Sequence, residues 1–178
     1  MRQIAADAGI SLGTLFFHCP TKERLLFDAL MDSLRELCDA LQLRLQVAGS
    51  TWRERLAEAF ALHIEFSARQ AFGTTFSAVD MLNLTPEHRA EYIALRASYE
   101  RQFRELIRWG IAAGEFRPVD AKLASFALLG VGQTVGRWFR ADGALTPDQI
   151  AAEYIDLIFN GLSVTHLERD ESGVRLRS

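Results

Sequence analysis

Cysteine is scarce in this chain: 2 among 178 residues, Cys19 and Cys38, far apart and without ligand spacing around them. That leaves no disulfide framework and no cysteine-based metal site, and it points to reduced thiols in a cytoplasmic protein. No apolar run approaches the ~18 residues that cross a bilayer, so no membrane association is expected. Asp7 interrupts the start before any apolar core of a signal peptide could form. Val, Ile and Thr do not cluster in alternating runs, which argues against a sheet. Catalytic constellations are missing too. There is no Ser/His/Asp arrangement on loops, no Gly-rich phosphate loop and no paired histidines at metal spacing, so neither an enzyme nor a cofactor is implied. Nor is positive charge in excess: the net charge is −3, unhelpful to a phosphate binder unless its cations are gathered locally. What remains is an ordinary globular composition, 49% hydrophobic, in a chain long enough to bury roughly 70% of its unfolded surface without staples.

The most organised stretch is Ile4–Leu26, IAADAGISLGTLFFHCPTKERLL. Ile4, Ala5 and Ala8 give a first short helix an apolar edge. Gly9 stands where that helix must stop in a left-handed cap. Ile10 reads as a buried plug in the turn. Ser11 is an N-cap for a second helix over Leu12–His18, from which Leu15 points inward. This is the plan of a helix-turn-helix, whose second helix lies in the DNA major groove.

The run Ile4-Ala5, Ala8-Gly9-Ile10-Ser11, Gly13-Thr14-Leu15-Phe16, His18 and Lys22-Glu23 with Leu25 resembles the TetR (tetracycline-repressor-like) family of bacterial regulators. The likeness in motif covers about the first twenty-five residues, and the remainder agrees in architecture. It implies a double-stranded DNA operator as partner and Ser11, Gly13, Thr14, Phe16, His18 and Lys22 as DNA-binding residues. The chain departs from the family's pattern at Phe16, usually Tyr, whose hydroxyl meets a phosphate, and at Cys19, usually Phe in the small core. A further helix normally precedes the bracing helix. Met1 stands where the bracing helix begins, so the chain as given is expected to bind DNA weakly, and a leading helix encoded upstream would restore it.

The body reads helical throughout. Thr21 caps a helix to about Gln46, with a stripe of Leu26, Leu30, Leu34, Leu37, Leu41 and Leu45. Thr51 and Glu54 form a capping box for a helix presenting Trp52, Leu56, Phe60, His63 and Ser67. A short helix is expected near Ala71–Leu82. Thr85-Pro86 opens a long helix with Tyr92, Leu95, Tyr99, Phe103, Leu106 and Gly110 inward. Gly114 ends it, and Pro118 keeps the connection short. Asp120 caps a helix to about Arg140. Thr146-Pro147-Asp148-Gln149 starts the last, with Ile150, Tyr154, Leu157 and Ile158 in line. The polar tail after Val164 is expected to fray.

Two tasks fall to this body. One is homodimerisation, because half-sites one turn apart need two readers. Phe126, Gly130, Thr134, Trp138, Tyr154 and Ile158 on the last two helices are the interface candidates, with Gly132 and Gly136 also permitting close approach. These helices could instead bury one another within a single chain. The other task is an apolar pocket, with Phe60, His63, Phe72, Phe76, Tyr99 and Phe103 as candidates, Asp80 as a further polar group, and plain core as the competing role. Arg101, Arg104 and Arg108, with Arg96 nearby, are open to two readings: a cationic mouth for an anionic ligand such as an acyl-CoA, or a solvated face paired as Glu100–Arg104 and Glu105–Arg108.

The sequence therefore predicts an all-α protein. A partial helix-turn-helix head and linking helix occupy 1–46, a helical ligand-binding and dimerisation domain 47–164 and a tail 165–178. Its function would be a ligand-responsive transcriptional regulator, a repressor released by a small hydrophobic effector. The alternative is a dimerising small-molecule-binding protein that has lost DNA binding through N-terminal truncation.

Overall fold

Helix starts in this protein are set by side chains that take up free backbone donors. In the computed structural model, residues 1–47, 49–70, 81–160, 167–170 and 173–176 are described. They form α1 (Arg2–Asp7), α2 (Leu12–His18), α3 (Lys22–Val47), α4 (Trp52–Gln70), α5 (Pro86–Ala112), α6 (Ala121–Trp138) and α7 (Pro147–Asn160), followed by β1 (Leu167–Asp170) and β2 (Gly173–Leu176). Ser11 Oγ accepts from the Thr14 amide at 3.0 Å and Thr21 Oγ1 from that of Arg24 at 2.9 Å. Thr51 and Glu54 cap each other reciprocally, both bonds 3.1 Å. Asp120 Oδ1 receives the Lys122 and Leu123 amides, and Thr146 and Gln149 close a second reciprocal box. Gly9 and Gly114 hold φ of +66° and +74°, left-handed conformations that other residues adopt only with strain.

The core is built around α4. Leu56, Ala59, Phe60, Leu62, Ile64 and Ala68 of α4 are all buried, which is the signature of a helix covered on most sides rather than along one stripe. It packs against α3, α5, α6 and α7. Leu34, Leu37 and Leu41 enter this core from α3, Tyr99, Phe103, Leu106 and Ile107 from α5, Leu128 and Val135 from α6, and Ile150 and Ala151 from α7. A smaller core lies nearer the head, formed by Phe27, Leu30 and Met31 of α3 with Leu84. No helix among the described residues is long and apolar enough to cross a membrane.

Three expectations need correction here. Ile10 is 41% exposed rather than a plug, because among the described residues the head offers it no opposing apolar wall. Gly132 and Gly136 face α4 of their own chain: a Cβ on Gly132 would collide with the His63 ring, and one on Gly136 would lie 2.8 Å from the Ser67 carbonyl oxygen. The tail, expected to fray, forms β1 and β2, which pair antiparallel with Leu167 opposite Leu176. Phe72, Phe76 and Asp80, the short helix expected near Ala71–Leu82 for all but its last residues, and the stretch 161–166 lie outside the described residues.

Candidate functional site

The head presents a nearly bare helix. Leu15, 5% exposed, is the one buried residue of α2 and anchors it on α1. Ser11, Gly13, Thr14, Phe16, His18 and Lys22 are all exposed. The Ser11 and Thr14 hydroxyls are 2.8 Å apart, so each retains bonding capacity toward an outside partner. Phe17, 83% exposed, meets the His18 ring edge-on. Lys22 begins α3, where free amides and the helix dipole add to its ammonium charge. A two-turn helix with hydroxyl and imidazole groups facing water, followed by an ammonium at the start of α3, has the chemistry to meet phosphates and base edges.

A cavity of about 660 Å³ opens between α3, α4, α5 and α6, a size suited to a small organic ligand. Leu30, Leu34 and Leu37 of α3 form one wall, Phe66 of α4 and Tyr92 and Ile93 of α5 continue it, and Phe126 and Leu129 of α6 face them. His63 and Tyr99 sit at its inner side. The Leu129 carbonyl can only accept, so His63 Nε2 carries the proton and donates to it at 3.2 Å; His63 Nδ1 accepts from the Tyr99 hydroxyl at 3.2 Å. Burial pushes the His63 pKa down to about 4, against the Leu129 hydrogen bond and with Arg96 adding repulsion. Burial likewise pushes the Tyr99 phenol up. Both rings are neutral dipoles at neutral pH.

Cations outnumber acids around the cavity. Arg96, Arg104, Lys122 and Arg137 line the cavity together with, among the described residues, a single acid, Glu100. That carboxylate is already engaged by Ser125 Oγ and by Arg104 at 2.7 Å. Both expected helix pairs exist, Glu100–Arg104 and Glu105–Arg108, yet Arg96 and Arg104 also reach the cavity, while Arg101 and Arg108 do not line it. Phe60 and Phe103 are packed solid in the core and do not reach the cavity. Lys122, Gln133 and Arg137 also line the cavity, although the sequence did not mark them as candidates. The signal for the last two was the spacing of Gly130, Gln133 and Arg137, which puts them on one face of a helix.

A third surface runs along α6 and α7. Leu123, Phe126, Val131 and Trp138 of α6 and Leu157 and Ile158 of α7 are exposed apolar side chains. Gly130 and Thr134 are exposed among them and Tyr154 is half-buried. Phe126 and Gly130 also line the cavity, so this face and the cavity adjoin. Exposed apolar side chains concentrated on two helices are an ordinary mark of a protein–protein contact.

A family model described as tetracyclin repressor-like, C-terminal domain, matches residues 49–162. The chain belongs to the TetR family. Among TetR relatives, the HTH-type transcriptional repressor KstR2 of Rhodococcus jostii (strain RHA1) is 27% identical over 173 residues, 93% of this chain and 82% of that one. The crystal structure of the TetR family transcriptional regulator PfmR from Thermus thermophilus is 31% identical, covers 89% of this chain and 86% of that one, and superposes with a TM-score of 0.80. AibR in complex with isovaleryl coenzyme A and operator DNA is 26% identical, covering 88% of this chain and 85% of that one with a TM-score of 0.74. In this TetR chain Phe16 brings an exposed ring with no hydroxyl, and Cys19 is half-buried.

Proposed function

We propose that the protein is a cytoplasmic, homodimeric repressor that leaves its operator when a small hydrophobic effector with an anionic end fills the cavity. The observation that carries this reading is that one helix serves both ends. Leu30, Ser33, Leu34 and Leu37 of α3 wall the cavity, and the same helix begins at Lys22, just after the exposed α2. An occupant that prefers one tilt of α3 therefore prefers one placement of the head, and it releases DNA to the extent that it binds the released state more tightly. In the bound state Ser11, Thr14 and His18 reach phosphates or base edges, Gly13 lets the backbone approach, Phe16 packs against the backbone and Lys22 clamps a phosphate.

The apolar walls with Arg96, Arg104, Lys122 and Arg137 at the rim suit an acyl chain or fused-ring body bearing carboxylate or phosphate. The likeness to AibR with its isovaleryl coenzyme A makes acyl-CoA thioesters the first class to try. A thermal-shift screen of acyl-CoAs, fatty acids, sterols and neutral aromatics tests it, since a ligand of the folded state alone raises the melting temperature. Anionic members should raise it and weaken operator binding. DNA affinity indifferent to every stabilising compound would remove the switch. The other reading, a dimerising binder without DNA, draws on the exposed Ile4, Ile10, Phe16 and Phe17 of the head. Failure to select any duplex from a random pool would favour it.

A further inference from the structure

The linking helix and the long helix are fastened together at a place that ligand binding and DNA contact both leave unused. Glu23, in the first turn of α3, reaches the start of α5. Its Oε1 accepts from the backbone N–H of Thr85 at 3.0 Å and from His88 Nδ1 at 2.7 Å. The two side chains are only 23% and 24% exposed. His88 is held a second time, stacked on Phe27 one turn further along α3 with ring centroids 3.9 Å apart and planes within 9° of parallel. Beneath them lies the small core of Phe27, Leu30, Met31 and Leu84. The position of this junction gives it meaning. Toward the head, Glu23 directly follows Lys22. Away from the head, the next turns of the same two helices, Leu30 and Ser33 on α3 and Tyr92 and Ile93 on α5, already line the cavity.

Resting on the regulator reading above, we propose that the Glu23–Thr85–His88 junction is the coupling through which cavity occupancy moves the head. An occupant wedges α3 and α5 apart along their cavity-lining turns. With the head-side ends free, those ends would take up the displacement locally. With Glu23 holding the first turn of α3 to the N-terminus of α5, the same displacement becomes a tilt of α3 about the junction, and α2 moves with it. Glu23 and His88 are thus positioning residues that touch neither DNA nor effector. Glu23→Gln keeps an acceptor for both donors and preserves the coupling. Glu23→Ala and His88→Ala remove it.

The test uses the full chain, a duplex selected by that chain from a random-sequence pool, and a filled cavity in place of an unidentified ligand. Ala97→Trp fills it from the α5 wall and Leu129→Trp fills it from α6. Filling should weaken duplex binding about tenfold or more, within the usual range of coupling between two sites, in the otherwise unchanged chain and in Glu23→Gln. In Glu23→Ala and His88→Ala it should do so by less than about twofold. A purely structural role would lower stability, and affinity with it, yet leave the filled-to-unfilled ratio intact. A ratio that survives both alanine variants overturns the coupling and leaves the regulator standing. A chain that selects no duplex, or whose affinity ignores both fillers with the junction intact, overturns the regulator and the coupling together.

Discussion

Individual side chains decide how tightly α4 and α6 approach. At Gly132 the His63 ring occupies the space of a Cβ, whereas at Gly130 that space is open. Gly132→Ala should destabilise the fold by about 1–3 kcal/mol through overpacking. Gly130→Ala should be neutral or stabilise by up to about 1 kcal/mol through helix propensity. Urea unfolding of the two variants checks the contrast. His63 also sets a pH response. Its folded pKa of about 4 lies below the ordinary histidine value, so between roughly pH 6.5 and pH 4 the unfolded chain binds a proton that the folded chain refuses. Stability should be level above that window and fall by on the order of 3 kcal/mol as pH drops through it. The carboxylate of Glu23, held below its usual range by the Thr85 and His88 hydrogen bonds, loses its contribution only lower, as pH falls through its own depressed pKa. Unfolding curves from pH 7.5 to 4.5 should therefore be flatter for His63→Gln than for the parent chain. The spacing of His63 with Phe60 and Ser67 announced an inward face. It could not announce that the ring would sit at a cavity wall while Phe60, on the same stripe, sits in solid core, because that division depends on where α6 crosses.

Helices in this chain are delimited by local chemistry, and so their starts were legible. Ser11, Thr21, Thr51, Thr85, Asp120 and Thr146 all sit next to the first helical residue in the sequence, and those whose bonds are described accept amides there. Ser11→Ala should cost about 1 kcal/mol of stability and weaken operator binding further, since α2 is held by little besides Leu15. Circular dichroism melts and duplex titration measure the two effects separately. Lys22→Ala should reduce the slope of log affinity against log salt by about 1 without changing which duplex is preferred. A changed preference would mean that Lys22 reads a base. Helix ends were less legible: α6 stops at Trp138, with Phe139 already extended, rather than at Arg140. No capping glycine or proline marks that end in the sequence.

At the scale of the whole molecule, the exposed apolar face of α6 and α7 is where a second chain is expected to pack. Trp138 of α6 is 46% exposed and Ile158 of α7 39%. Placing charge there, as Trp138→Glu with Ile158→Arg or either alone, should shift the protein from dimer to monomer in sedimentation velocity. Operator affinity should fall steeply, since two linked half-site contacts become one. A dimer unaffected by both substitutions would locate the interface elsewhere.

Residue order fixed the all-α class, the turn at Gly9, the caps and the exposed face of α2, because each rests on neighbours within a few positions. Which of two inward-facing aromatics lines a cavity, which glycines admit a neighbouring helix, and that Glu23 closes on Thr85 and His88 sixty-odd positions away were settled by packing. Those facts depend on the distances and crossing geometry of helices remote in the chain, and no local pattern encodes them.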